Sequence, residues 1–169
     1  MGTSFWDTRG YKENSSPYYP VPLPLLNGTA VLEQPADLFT IATKYAHQAC
    51  RFIDTHAAAH DPFMLYLPFN HVHGPESCGA RWCGQSARGP IGDAIQETDW
   101  IIGEVMATLK ASAAANDTLV FFTSDNGAPQ RPDGNAPLRG FKTMIWEGGK
   151  STPHAGPESY CQWHNDCQN

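Results

Sequence analysis

The chain has 169 residues, 41% hydrophobic and 17% charged, which is enough apolar material for one domain with a buried core. A formal net charge of -6 with no basic stripe excludes nucleic acid as an expected partner. No apolar run approaches the roughly 20 residues that span a bilayer, and Met1-Gly2-Thr3-Ser4-Phe5-Trp6 has neither a signal-peptide core nor a myristoylation hydroxyl.

Residues 1–34 are rich in Pro, Gly, Ser and Asn, and Pro17, Pro20, Pro22 and Pro24 block both helix and central strand, so an extended lead-in is expected. Three Asn-x-Ser/Thr sequons, at Asn14, Asn27 and Asn116, lean toward a secretory protein. Asp37 is the expected N-cap of an amphipathic helix with Leu38, Ile41, Ala42, Tyr45, Ala49, Phe52 and Ile53 on its apolar face, ending near His56 to His60. An odd count of five cysteines leaves at least one thiol unpaired, and Cys50, on that face, is the expected buried free thiol.

Phe63-Met64-Leu65-Tyr66-Leu67, bounded by Pro62 and Pro68, has the unbroken apolar pattern of a parallel strand covered on both faces. Gly89-Pro90 opens a second helix, with Asp93 and Glu97 where a helix dipole favours anions. Its core face is Ile91, Ala94, Ile95, Thr98, Ile101, Ile102, Val105 and Leu109. Asn116-Asp117 then marks the turn before a strand beginning Leu119-Val120-Phe121-Phe122.

Strand, helix, strand implies a right-handed crossover, which brings the carboxyl ends of both strands to one sheet edge, where open α/β sheets bind ligands. His71 and His73 follow the first strand, and Asp125 and Asn126 follow the second. A carboxylate beside an amide carbonyl suits Ca²⁺ or Mg²⁺ better than Zn²⁺, although Asp-Asn-Gly is also a common turn sequence. Lys142, in a glycine-flanked loop, could join them, or be a solvated surface lysine; the imidazoles could equally cap backbone groups. Together these groups have the makings of a site that stabilises charge on a tetrahedral anion.

Four blocks, in order, resemble the type I sulfatases, in particular the arylsulfatase A and N-acetylgalactosamine-6-sulfatase-like branch. They are Pro62 through Asn70-His71-Val72-His73; Gly89-Pro90-Ile91-Gly92-Asp93-Ala94; Thr118 through Ser124-Asp125-Asn126-Gly127; and Leu138-Arg139-Gly140 through Trp146-Glu147-Gly148-Gly149. The resemblance implies an alkaline-phosphatase-like α/β fold, with parallel strands and crossover helices, in a partial catalytic domain over residues 35–149. It implies metal-dependent hydrolysis of sulfate esters, on a sulfated small molecule or glycan. Asp125 and Asn126 match the family's second pair of metal ligands, for Ca²⁺ or Mg²⁺. His73 matches its sulfate-binding histidine and Lys142 the lysine that bridges sulfate and nucleophile. His71 matches a family histidine for which packing or support is as good a reading as direct contact. A lysosomal or secreted location is also implied.

The family nucleophile is a formylglycine made from the cysteine of Cys-x-Pro-x-Arg, and none of Cys50, Cys78, Cys83, Cys161 or Cys167 stands in that motif. The family's first aspartate pair has no counterpart either, and Phe141 and Thr143 replace glycines beside Lys142. Residues 150–169 depart from the family as a polar tail. Cys161, His164 and Cys167 do not fit a common zinc motif, and disorder or a Cys161–Cys167 disulfide is expected there instead. The expectation is an internal piece of a sulfatase, inactive by itself and poorly stable. The alternative is a truncated, non-catalytic variant that binds a sulfated ligand or associates with a full-length sulfatase.

Overall fold

Asn27-Gly28 is the first place where local chemistry bends the chain. In a computed structural model, which describes residues 24–74, 76–130 and 135–150, strands β1 (Leu25–Asn27) and β2 (Ala30–Glu33) pair antiparallel with Asn27 opposite Ala30. Gly28 has φ 58°, a conformation open to glycine, and so closes a two-residue hairpin loop. The loop-like reading of residues 1–34 is corrected over 25–33, because Asn27-Gly28 is a hairpin signal as well as part of a sequon. Residues 1–23, with Asn14, Pro17, Pro20 and Pro22, and residues 151–169, with Cys161, His164 and Cys167, lie outside the described residues.

The chain divides into two compact units, residues 1–115 and 116–169. In the first, α1 (Ile41–Ala59) buries Ile41, Ala42, Tyr45, Ala46, Ala49, Ile53 and Ala57. Its N-cap is Thr40 and not the expected Asp37. Asp37 instead accepts hydrogen bonds from the Phe39 N–H and the Thr40 hydroxyl, a local Asx arrangement that competes with capping. At the other end His60 is left-handed, donating its N–H to Ala57 O while Asp61 donates to His56 O, a Schellman closure followed at once by Pro62. Cys50 carries a free thiol but is half-buried rather than buried.

The second helix, α2 (Pro90–Ala111), opens with Pro90 after Gly89 as the sequence predicts. Leu25, Ala36, Ile41 and Tyr45 form one buried cluster under the hairpin. Ala42 and Ala46 of α1 form another with Ile101 of α2, the small alanines letting the helices approach, and Phe69, Trp100 and Val105 pack around it. The core face of α2 is rotated from the expected one. Ile95 is exposed, whereas Asp93 and Glu97 are buried.

The apolar run 63–67 alternates between half-buried and exposed side chains, the period of an extended chain. Phe63 meets Phe52 of α1 edge-on, with centroids 5.7 Å apart, while Met64 and Tyr66 face solvent. In the second unit Leu119, Phe121 and Phe122 are exposed as well. Neither run is paired, so the parallel strands with crossover helices expected of the α/β class are not formed among the described residues, whose one sheet is the antiparallel hairpin. A parallel strand exists only through ladder bonds to its neighbours, and apolar sequence cannot supply those neighbours.

Candidate functional site

In the first unit, residues 71–74 form a turn directly after the extended apolar run. Val72 at its centre has φ 64°, a left-handed conformation rarely taken by a β-branched residue and costing on the order of 1–3 kcal/mol. The turn sends its two imidazoles to different environments: His71 is buried and His73 is exposed. His73 Nδ1 lies 2.7 Å from the carbonyl of Gly74. A carbonyl only accepts, so Nδ1 carries the proton of that bond.

The His71 side chain has no solvent exposure, and its Nε2 lies 3.2 Å from Oε2 of Glu97, itself 3% exposed at the side chain. Glu97 also receives the Gly79 N–H on both oxygens, at 3.0 and 3.1 Å. Gly79 follows Cys78, which is disulfide-bonded to Cys83 and so closes the loop that presents this N–H. Burial lowers the His71 pKa and the Glu97 charge opposes that effect.

Asp93, in the first turn of α2, serves the segment that follows this loop. Its carboxylate accepts the N–H groups of Gly84, Ser86 and Gln85, at 2.7, 2.7 and 3.0 Å. The Gly84 bond, then that of Ser86, holds the Asp93 carboxyl below the usual carboxylate range. The folded chain therefore binds this proton less readily than the unfolded chain. Its stabilising contribution is complete above the ordinary carboxylate pKa and is lost as pH falls through the depressed value. Asp93→Asn is expected to flatten the acid side of the stability profile, read as the urea midpoint between about pH 2 and 6. An unchanged acid limb would refute this assignment.

In the second unit Asp125 is exposed and Asn126 half-buried, and the Ser124 hydroxyl donates to the Asn126 carbonyl at 2.7 Å. Lys142 is half-buried, and its backbone N–H donates to Ala128 O at 2.8 Å. Ala128 is also held by buried Asn135, whose amide nitrogen donates to its carbonyl and whose amide oxygen accepts its N–H. The fold thus ties the lysine-bearing loop to the segment just after the Asp125-Asn126 pair. Gly127 donates to Gly149 O at 3.0 Å, and Gly148 to Arg139 O at 2.8 Å, while the Arg139 guanidinium lies 3.8 Å above the Trp146 ring. These contacts fold residues 127–128 and 139–149 into one clasp (including the short helical turn α3, Glu147–Lys150).

Asp125 and Asn126 offer hard oxygen donors of the kind Ca²⁺ and Mg²⁺ prefer, so the chemistry of the pair fits such an ion. Two donors make only part of a shell, and no group of three or more His, Cys, Asp or Glu able to hold a metal occurs among the described residues. No helix among them is long and apolar enough to cross a membrane.

A family profile described as Sulfatase matches residues 4–154. The chain belongs to the sulfatase family. It is 37% identical to steryl-sulfatase of Rattus norvegicus over 138 residues, which is 76% of this chain and 24% of that protein. It is 35% identical to arylsulfatase H of Homo sapiens over 138 residues, which is 76% of this chain and 24% of that protein. Against N-acetylgalactosamine-6-sulfatase of Sus scrofa it is 37% identical over 64% of the chain and 22% of the relative. The chain thus spans about a quarter of the length of the curated relatives it matches. The resemblance read from the four blocks is borne out at the level of the family.

In this sulfatase chain, periodicity marks Glu97 only as a helix-dipole residue, yet it lies on the turn of α2 between Ala94 and Ile101, both fully buried. A carboxylate at such a helical position needs a buried donor, and that requirement was the available signal.

Proposed function

We propose that this chain carries part of the active site of a sulfuric ester hydrolase. Asp125 and Asn126 contribute oxygen ligands to Ca²⁺ or Mg²⁺; His73 and Lys142 engage the sulfate group, and His71 supports the turn that presents His73. The observation that best supports this reading, beside family membership, is the Lys142-to-Ala128 backbone bond, which joins the lysine loop to the segment bearing the metal ligands. A bound divalent ion would supply Lewis-acid stabilisation of charge on the sulfate oxygens. Lys142 adds a fixed positive charge, and His73 an imidazole with one nitrogen anchored on Gly74. The substrate class is a sulfated small molecule or glycan, and the family suggests a lysosomal or secreted setting. Asn27 and Asn116 of two sequons are exposed, as glycosylation requires.

Within these 169 residues no cysteine stands in Cys-x-Pro-x-Arg. The second reading follows from that observation: by themselves they form a non-catalytic polypeptide that binds a sulfated ligand or pairs with a full-length sulfatase. Nitrophenyl sulfate with added Ca²⁺ tests the two together. The 169-residue polypeptide is expected to give no turnover above a Lys142→Ala control. In a longer sulfatase containing these residues together with the formylglycine nucleophile, Lys142→Ala is expected to lower kcat/KM by roughly 100-fold or more. Turnover by the wild-type 169 residues above the control would refute the non-catalytic reading, and an unaffected kcat/KM would remove Lys142 from the site.

A further inference from the structure

The structure assigns Glu97 of α2 as a positioning residue that acts through His71 and the left-handed Val72 to aim the imidazole of His73. The assignment rests on the sulfate-binding reading of His73 given above.

Val72 is the strained point of the turn. A β-branched residue at φ 64° is held there by its surroundings, since relaxation to an ordinary backbone would turn the chain another way. Something on one side of it must therefore be fixed. On the His71 side, the side chain is wholly buried, and its hydrogen bond within the described residues is the one to Glu97. Neither His71 Nδ1 nor the neighbouring Asn70 Oδ1 meets a donor among those residues. The turn is thus tied to α2 through its buried imidazole.

Glu97 is itself held in place. Both of its oxygens take the Gly79 N–H, at the start of the loop closed by the Cys78–Cys83 disulfide. An ionised carboxylate only accepts, so the proton of the pair resides on His71 Nε2, and the neutral imidazole is the Nε2–H tautomer. His73 takes the opposite one, with its proton on Nδ1 against Gly74 O. Two imidazoles on one turn are thus locked in complementary tautomers, one by a buried carboxylate and the other by a backbone carbonyl. Loss of the first lock frees Val72 to relax and carries the second imidazole with it.

The test is nitrogen-15 NMR of the histidine rings in the full 169-residue chain, followed by titration with inorganic sulfate. Wild type is expected to show His71 as the Nε2–H tautomer and His73 as the Nδ1–H tautomer. This part needs no variant, and His71 protonated on Nδ1 would overturn the proposal. Glu97→Gln keeps one oxygen acceptor and is expected to preserve both tautomers. Glu97→Ala is expected to release the His71 tautomer and to weaken any sulfate-induced shift at His73 roughly tenfold or more, as misplacement of a contacting group does. A Glu97→Ala chain that keeps its α2 signals and an unchanged His73 spectrum would also overturn it. If sulfate shifts nothing in wild type, the sulfate-binding reading fails, and the tautomer result still decides the role of Glu97 on the turn.

Discussion

Gly127→Ala is expected to destabilise the second unit by about 3 kcal/mol or more, and to strip hydrogen-exchange protection from the amides of Lys142 and Gly148. An added Cβ would lie 1.9 Å from Gly148 O and 2.8 Å from its carbonyl carbon. Both are backbone atoms, so no rotamer change can make room. The chain would have to part at the Gly127-to-Gly149 bond, and with it the neighbouring Lys142-to-Ala128 bond. Gly103 supplies the contrast. It lies in the exposed interior of α2 with no atom within 4 Å of an added Cβ, so Gly103→Ala is expected to stabilise by about 0.5–1 kcal/mol through helix propensity. If Gly127→Ala left Lys142 protected, the clasp would not be the element that places the lysine.

Glu97→Leu is expected to cost about 3–5 kcal/mol in urea unfolding, because it strands two buried donors, the His71 Nε2–H and the Gly79 N–H. His71→Leu in the same background is expected to recover part of that loss, since it removes one of the stranded donors. Recovery is incomplete because the Gly79 N–H still has no acceptor. The cycle should therefore return a coupling of about 0.5–3 kcal/mol between the two side chains. Losses that simply add would show that the buried pair is not a unit. The size of the effect also distinguishes this residue from Asp93, whose carboxylate likewise serves backbone donors but whose loss is read in the acid limb.

Much of the local structure was legible in the residues themselves. The end of α1 and the start of α2 follow from apolar spacing, from Pro62 just past the one and Pro90 at the other, whereas α1 begins at Ile41 and not directly after Asp37. The four family blocks were equally legible, because they are linear strings whose order does not depend on packing, and the family match over residues 4–154 agrees with them. The chain bends at Asp125-Asn126, straight after the apolar run, where Asp-Asn-Gly offers a turn sequence.

What the tertiary structure decided is where polar groups find partners. Periodicity gives the direction of a side chain but not what faces it, so spacing marks Glu97 as a dipole residue, whereas in the fold it meets His71 and the Gly79 N–H. The same holds for Val72, whose left-handed backbone sits in a turn separating a buried imidazole from an exposed one. It also holds for the runs 63–67 and 119–122. Their apolar character states that they can be buried, while ladder bonds to neighbouring strands decide whether they are, and among the described residues those bonds are not made. Composition and spacing act along the chain; hydrogen-bond satisfaction and steric fit act across it, which is why the family could be read from the sequence and the buried His71–Glu97 contact could not.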